Sequence, residues 1–297
     1  MEALSPETLA DSHPLWAEDV ISLGPWSKLG APLLGPGKSD ILWRALQEGL
    51  NTSVLVCGRC PTSMDVAWAL DVINALPDWA SVMAVEQTAG RGRWHRQWMS
   101  PPGNLYVTWI WPKELDKYGP VLGIPELLSL VVAYMLASAL KTQNFEVQIK
   151  WPNDLFWKGH KLGGVLIEKK HIRTMVGVGL NLVSAPPNEA LKREGAPPAA
   201  SLSQTGLILS PLSGWLELSR LARACLEEQI RSLSSNAFIS LVEGCLIGIG
   251  QNVVVQTAQG EPFRARIKGL APDGGLVLER KQTQTVLHSG SIHLMMD

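Results

Sequence analysis

Lys150-Trp151-Pro152-Asn153-Asp154-Leu155, Lys161-Leu162-Gly163-Gly164-Val165-Leu166-Ile167-Glu168 and Gly177-Val178-Gly179-Leu180-Asn181-Leu182 follow one another closely along the chain. Apolar, β-branched runs bounded by turn residues predict strands at 147–150, 161–169 and 174–182. Pro152 fixes the backbone after an extended Trp151, and Asn153-Asp154 favours a tight turn. Gly163 and Gly164 enter a strand and permit close approach of another backbone or of a ligand. Lys161 stands at the start of that strand, its ammonium either solvated or aimed at an anion. Gly177 and Gly179 occupy alternate positions and leave one strand face bare. That face suits either tight sheet packing or a floor for a flat ligand, and Asn181 beside it offers a donor and an acceptor.

Outward from this stretch, strands are predicted at 53–57, 81–85 and 105–111. Helices are predicted at 64–76, ended by Pro77, at 125–142 and at 215–232. Strands dominate with helices inserted, which predicts an α+β fold on a mixed β-sheet. The Pro/Ala-rich segment 185–199 reads as a loop. After residue 247 the pattern changes to short strands at 251–257, 263–270, 275–279, 285–288 and 291–294. Gly260, Asp273-Gly274-Gly275 and Ser289-Gly290 punctuate them, so a small C-terminal β-barrel is expected. The first fifty residues are rich in Pro and Gly, with one predicted helix capped by Ser39, its apolar face formed by Ile41, Leu42, Ala45 and Leu46. They lack the run of periodic helices that a winged helix-turn-helix needs. The chain thus divides into an N-terminal extension (1–50), a catalytic region (51–244) and a small C-terminal domain (245–297).

The chain has 297 residues, 46% apolar and 18% charged, enough to bury a large core and a smaller one. A net charge of -1 without a basic tail argues against a nucleic-acid-binding body. The most apolar run, 127–140, is too short to cross a bilayer and reads as a buried helix. The N-terminus shows no basic start followed by an apolar run, so a cytoplasmic location is expected. Cys57-Gly-Arg-Cys60 has CxxC spacing, but Cys225 and Cys245 supply no second close pair for zinc. Buried thiols are the expectation, with a redox pair as the alternative.

A further motif is Glu86-Gln87-Thr88-Ala89-Gly90-Arg91-Gly92-Arg93-Trp94-His95-Arg96-Gln97-Trp98. Closely spaced glycines let backbone N–H groups approach a ligand, and Arg91, Arg93 and Arg96 are fixed cations able to hold phosphate or carboxylate. A solvated basic loop and an RNA-contacting patch fit the same residues. It is not a phosphate-binding loop of the Gly-Lys-Ser/Thr type.

In order and spacing, these motifs resemble the biotin–protein ligase family over roughly 53–297. Thr62-Ser63-Met64-Asp65, Gln87 with Gly90 to Arg93, Asn104-Leu105-Tyr106 and the three motifs quoted first carry the resemblance. It implies a biotin–lipoate ligase catalytic domain of class II synthetase-like fold, followed by an SH3-like domain. It also implies a two-step reaction. The carboxylate of biotin attacks the α-phosphate of ATP, giving biotinyl-5′-AMP and pyrophosphate, and a lysine of a biotin carboxyl carrier protein then takes the biotinyl group. Thr62, Ser63 and Gln87 are then implied to hydrogen-bond the biotin head group above Gly163 and Gly164, with Met64, Gly90, Gly92 and Leu166 completing the pocket. Arg91 and Arg93 are implied to hold the biotin carboxylate and the phosphates, and Arg96 and Trp98 to join Arg93 at ATP. The loop 90–98 is implied to order over the adenylate and exclude water. Lys161 is implied at the carboxylate–phosphate junction, with Lys150 as second candidate, so Lys161, Arg93 and Lys150 form the catalytic set. Asn153, Asp154 and Asn181 are implied to contact ATP or its Mg2+, which arrives with the nucleotide rather than on a protein ligand set.

His95 stands where the family often has Gly, and Met64 where Asn is common. The family's regulatory DNA-binding domain has no counterpart in the sequence, so no nucleic acid and no membrane partner is expected. A homodimer is compatible, since the family includes monomers and dimers. Lipoate–protein ligase shares the architecture and chemistry, but the Gly-Arg-Gly-Arg and Lys-Trp-Pro-Asn-Asp motifs and the terminal barrel favour biotin. A non-catalytic biotin or nucleotide sensor and an RNA-binding protein are the rivals of other classes. The four cations Lys150, Lys161, Arg91 and Arg93 speak against the first, and the balanced charge against the second.

Overall fold

The computed structural model describes residues 5–30, 41–45, 53–72, 76–193, 196–257 and 260–295. In chain order the elements are α1 (Pro6–Ser12), α2 (Pro14–Ser22), β1 (Trp26–Gly30), β2 (Ile41–Ala45), β3 (Val54–Cys60), α3 (Ser63–Val72), β4 (Ser81–Gln87) and β5 (Leu105–Trp111). There follow α4 (Leu128–Thr142), β6 (Gln148–Lys150), β7 (Asp154–Trp157), β8 (His160–Lys170), β9 (Arg173–Leu180), α5 (Asn188–Arg193), α6 (Pro211–Cys225) and α7 (Ser235–Glu243). The last strands are β10 (Asn252–Gln256), β11 (Phe263–Leu270), β12 (Leu276–Arg280), β13 (Thr283–Leu287) and β14 (Ser291–Leu294). Contacts group the chain into two compact units, one of residues 1–114, 162–193 and 199–219, the other of 115–161, 194–198 and 220–297.

In the first unit the strands run in the order β1-β2-β3-β4-β5-β9-β8. β3 and β4 pair in parallel, whereas β1–β2, β2–β3, β4–β5, β5–β9 and β8–β9 pair antiparallel, so the sheet is mixed as the sequence predicts. α3 lays Met64, Val66, Ala67 and Leu70 into a core with Leu55, Val82, Ile110 and Met175. A tryptophan cluster forms a second centre. Trp79, Trp109, Trp111 and Trp215 meet at centroid separations of 5.1–5.7 Å, and the Trp215 indole N–H donates to Ser81 Oγ at 2.9 Å. Aromatic pairs at this spacing add to their burial energy, and the paired N–H removes the cost of a buried donor.

The N-terminal segment differs from its expectation. Residues 41–45 form a strand instead of a helix, and Ser39 and Leu46 lie outside the described residues. The physical reason is pairing on both sides, with β1 and with β3, which satisfies backbone groups a short helix would leave open. The two helices before it fasten α6. Asp19, fully buried, accepts the Leu212 and Ser213 backbone N–H groups at 2.7 and 3.0 Å and the Ser213 hydroxyl at 2.6 Å. Burial pushes its carboxyl above the usual carboxylate range against those hydrogen bonds.

In the second unit, α4 is preceded by a 3-10 turn, Pro125–Leu127. The helical segment extends beyond the run 127–140 to Pro125–Thr142, which corrects the expectation from length: it is long and apolar enough to cross a membrane, but 61% of it is buried inside the protein, as a core helix requires. β6 and β7 form a hairpin, and Ile149 pairs through its backbone with Cys245 and Ile247. The C-terminal strands form a five-stranded antiparallel sheet, β13-β12-β11-β10-β14, which is the small SH3-like domain predicted. Segment 185–199 is not wholly loop, since α5 lies within it. The predicted helix 215–232 begins earlier, at Pro211, and ends in a π-helical turn, Leu226–Ile230.

Candidate active site

Polar residues of the first unit gather at the start of α3. Thr62 caps the helix, its Oγ1 accepting the Asp65 N–H at 2.9 Å. The Ser63 N–H donates to Gln87 Oε1 at 2.9 Å, the Ser63 hydroxyl lies 2.9 Å from Thr108 Oγ1, and Gln87 Nε2 donates to Ser100 Oγ at 2.9 Å. Thr62 and Ser63 are buried. A partly buried chain of matched donors and acceptors fixes these side chains in one arrangement, which recognition of a polar ring system requires. Sequence reasoning missed Thr108 and Ser100, whose hydroxyls reach the group only through the pairing of separate strands.

The glycine face of β9 is partly filled by the protein itself. A Cβ on Gly179 would lie 2.8–2.9 Å from the Trp98 indole, and one on Gly177 would lie 3.2 Å from Met64 Cε. Both readings of the bare face therefore meet here: the glycines admit a flat ring, and that ring is Trp98. Gly163 and Gly164 pair with Leu180 and Gly179, and Leu166 pairs with Gly177, so the glycines of β8 abut this face. Asn181 is buried, its Nδ2 donating to Ala200 O at 3.1 Å. Asn104 orders the turn after β9, its Oδ1 accepting the backbone N–H groups of Leu182, Val183 and Ser184 at 2.9–3.2 Å. The Asn-Leu-Tyr motif is thus structural at its first residue.

Residues 90–98 form a small hairpin. Trp98 N–H donates to Gly90 O and Gly92 N–H to Arg96 O, each at 2.8 Å, and Arg91 bridges Gln97. Gly90 has no room for a side chain, because a Cβ would lie 2.4 Å from Trp98 O. At the tip, the Arg93 and Arg96 guanidinium groups lie 5.8 and 5.5 Å from the centre of the exposed Trp94 ring. The side chain of His95 lies outside the described residues.

Arg91 does not point from the hairpin as an open anion fork. It donates to Thr62 Oγ1 (3.3 Å), to both Asp65 oxygens (3.1 and 2.8 Å) and, through Nε and NH2, to Glu168 Oε1 (3.3 and 3.1 Å). Trp68 Nε1 donates to the other Glu168 oxygen at 2.8 Å. Burial raises the Asp65 carboxyl, but hydrogen bonds from Arg91 and Thr62 and the Arg91 charge outweigh it and hold the group below the usual range. Asp65 and Glu168 belong to motifs noted in the sequence, yet nothing in their spacing shows that they share one arginine.

In the second unit, Lys150 pairs with Asp154 across the β6–β7 turn, whose Trp151–Pro152 peptide is cis. The buried Trp151 donates its indole N–H to Gly274 O at 2.9 Å. Lys161 Nζ lies 2.7 Å from Asp154 Oδ1, and its backbone N–H donates to Pro198 O at 2.8 Å. Lys150 is buried with Nζ 5.2 Å from the Phe156 ring centre, and Asn153 is buried beside it in sequence. The structure thus joins Lys161 to Asp154 and holds Lys150, Asn153 and Asp154 on one turn. Among the described residues no group of three or more His, Cys, Asp or Glu side chains is placed to hold a metal ion. Cys57 and Cys60 are free buried thiols with sulfurs 3.6 Å apart, and the hydrogen bond with Cys57 pushes the Cys60 thiol up, followed by burial.

The profile of the Biotin/lipoate A/B protein ligase family matches residues 35–182, and that of the Biotin protein ligase C terminal domain matches 248–295. The bifunctional ligase/repressor BirA of Bacillus subtilis is 30% identical over 230 residues, covering 74% of this chain and 68% of the relative. The chain belongs to the biotin–protein ligase family. A second family relative, the biotin–[acetyl-CoA-carboxylase] ligase of Paracoccus denitrificans, is 29% identical over 76% of this chain and 95% of its own length. The fold is that of a solved biotin–protein ligase from Aquifex aeolicus in complex with biotin and ATP. That structure has a TM-score of 0.66 and 22% identity, covering 82% of this chain and 99% of the other.

Proposed function

We propose that this member of the biotin–protein ligase family activates biotin with ATP as biotinyl-5′-AMP and transfers the biotinyl group to a lysine of a carboxylase's biotin carboxyl carrier protein. It is an ATP-dependent ligase forming a carbon–nitrogen bond. The observation that carries the reading is the partly buried hydrogen-bonded chain of Ser63, Gln87, Thr108 and Ser100, next in sequence to Thr62 and beside the glycine face of β9, with the family's motif residues at its core. A urea-like head group needs several fixed donors and acceptors in a water-poor place, and this lattice supplies them.

In the first step a carboxylate oxygen forms a bond to the α-phosphorus while the bond to the bridging oxygen of pyrophosphate breaks. Two anions must approach each other, so fixed positive charge dominates the barrier. Lys161, oriented by Asp154, is assigned to the carboxylate–phosphate junction and Lys150 to a supporting electrostatic role. Arg93 and Arg96 are assigned to the phosphates, with Trp98, Asn153, Asp154 and Asn181 completing the nucleotide site. Mg2+ bound to ATP would neutralise phosphate charge, and Asn153 and Asp154 are the residues assigned to meet it. In the second step the carrier's amine displaces AMP, a good leaving group, and no covalent enzyme intermediate is required. The catalytic region is taken as 51–244 and the C-terminal SH3-like domain as 245–297, in a cytoplasmic enzyme without DNA-binding activity.

Biotin-dependent exchange between ATP and pyrophosphate, with lipoate and octanoate in parallel, tests the reading. Exchange with biotin alone is expected. Exchange with lipoate instead would move the chain to the lipoate branch, and no exchange from folded protein would make it a sensor. The match to the biotin ligase C-terminal domain favours the first outcome.

A further inference from the structure

We infer that Asp65 and Glu168 are positioning residues which, through Arg91, latch the base of the 90–98 hairpin to α3 and β8. The latch sets how long the hairpin stays closed over a bound adenylate. This consequence rests on the proposed function; the latch itself does not. A guanidinium has five N–H donors and no acceptor. Five hydrogen bonds leave Arg91, shared among Thr62, Asp65 and Glu168, so no donor remains for a substrate carboxylate or phosphate while the latch is made.

Three features show that the arrangement is built. Glu168 is held from its other oxygen by the Trp68 indole N–H, and Trp68 packs on the α3 core cluster. Asp65 is fixed by the Thr62 cap at the first turn of α3. Lys170 lies over the Trp68 ring, 4.4 Å from its centre, and adds positive charge near Asp65. Isolated surface ion pairs contribute little, but bidentate arginine pairs and networks are the exception. The position also matters. Arg91 lies one residue inside the hairpin, next to the Gly90–Trp98 closure, whereas Arg93 and Arg96 lie at the tip around the exposed Trp94 ring. The first arginine of the Gly-Arg-Gly-Arg motif therefore fastens the base of the hairpin.

Two readouts test this on the full chain. The first is tryptic cleavage at Arg93 and Arg96 under native conditions, which reports opening of the hairpin. The second is escape of preformed biotinyl-5′-AMP into solution, measured beside the KM for biotin in pyrophosphate exchange. Glu168→Gln and Asp65→Asn should each speed cleavage about fivefold and adenylate escape by a similar factor, because local opening governs both. The biotin KM should stay within about twofold. Arg91→Lys keeps the charge but not the fork, and should behave like Glu168→Gln. Combining the two should add little beyond either alone, since both break one network. Unchanged cleavage in all three single variants overturns the latch. So does a biotin KM raised about tenfold by Arg91→Lys and untouched by Glu168→Gln, which would make Arg91 a direct substrate ligand. If Glu168→Gln fails to fold by circular dichroism, the more exposed Asp65→Asn and Arg91→Lys decide. If the parent protein shows no exchange with biotin, the proposed function fails while cleavage still judges the latch.

Discussion

Two hairpins carry candidate site cations, Arg91, Arg93 and Arg96 in one and Lys150 in the other, and they are fastened in different ways. The 90–98 hairpin closes with two backbone hydrogen bonds and is held at its base by side chains, while Trp94 and Arg96 at its tip are exposed. The β6–β7 hairpin is buried at Lys150, Trp151 and Asn153 and is clamped by the Trp151 indole on Gly274 O and by backbone pairing at Ile149. Side-chain ion pairs at a partly exposed base can break and re-form at low cost, whereas a buried indole and a backbone ladder cannot. The first hairpin is suited to open and close, and the second to hold a lysine still.

The comparison breaks first at Trp151. Trp151→Ala removes a buried indole and leaves Gly274 O without its donor, so about 3–5 kcal/mol of stability should be lost in denaturant unfolding. A loss below about 1 kcal/mol would show that the second hairpin is not rigidly held. Next comes Lys161→Ala. Pyrophosphate exchange should fall about a hundredfold, near 2.7 kcal/mol of barrier, with the melting profile unchanged. Full exchange from the folded variant would remove Lys161 from the mechanism.

Gly179→Ala sharpens the other side. The new methyl meets the Trp98 indole at 2.8–2.9 Å, so the ring must shift, at about 1–3 kcal/mol of overpacking. Since Trp98 closes the first hairpin, tryptic cleavage at Arg93 should quicken as well; wild-type cleavage would show that the ring does not brace the hairpin. The smallest effect is that of pH. The folded Asp65 carboxyl is depressed, so its contribution is complete above the unfolded value of about 3.9 and is lost as pH falls through the lower folded one. The melting temperature of the parent should exceed that of Asp65→Asn by a constant margin from neutral pH to about pH 5, narrowing below about pH 4. A margin that widens with acid would contradict the depressed carboxyl.

The strands that carry the motifs were legible because their cause is local. Alternating apolar residues and turn formers at 161–182, and the five short C-terminal strands, agree with the structure to within a few residues. The segment at 41–45 was misread because Ile41, Leu42 and Ala45 fit both periods over so short a span, and only pairing with β1 and β3 settles it. Likewise the helices Pro6–Ser12 and Pro14–Ser22 were not predicted, and their purpose lies in Asp19 acting on Leu212 and Ser213, far along the chain.

By itself the sequence determined the mixed α+β class, the family, and which residue types stand ready for anion and ring recognition. Those follow from periodicity, turn chemistry and an ordered set of motifs, all read along the chain. The tertiary structure decided which carboxylates a given charge meets. Arg91 and Arg93 are equivalent as letters, but α3 and β8 bring Asp65 and Glu168 to the first. Hydrogen bonding and ion pairing act over a few ångströms of space, and residues 65, 91 and 168 become neighbours only when the strands and helix that carry them have packed.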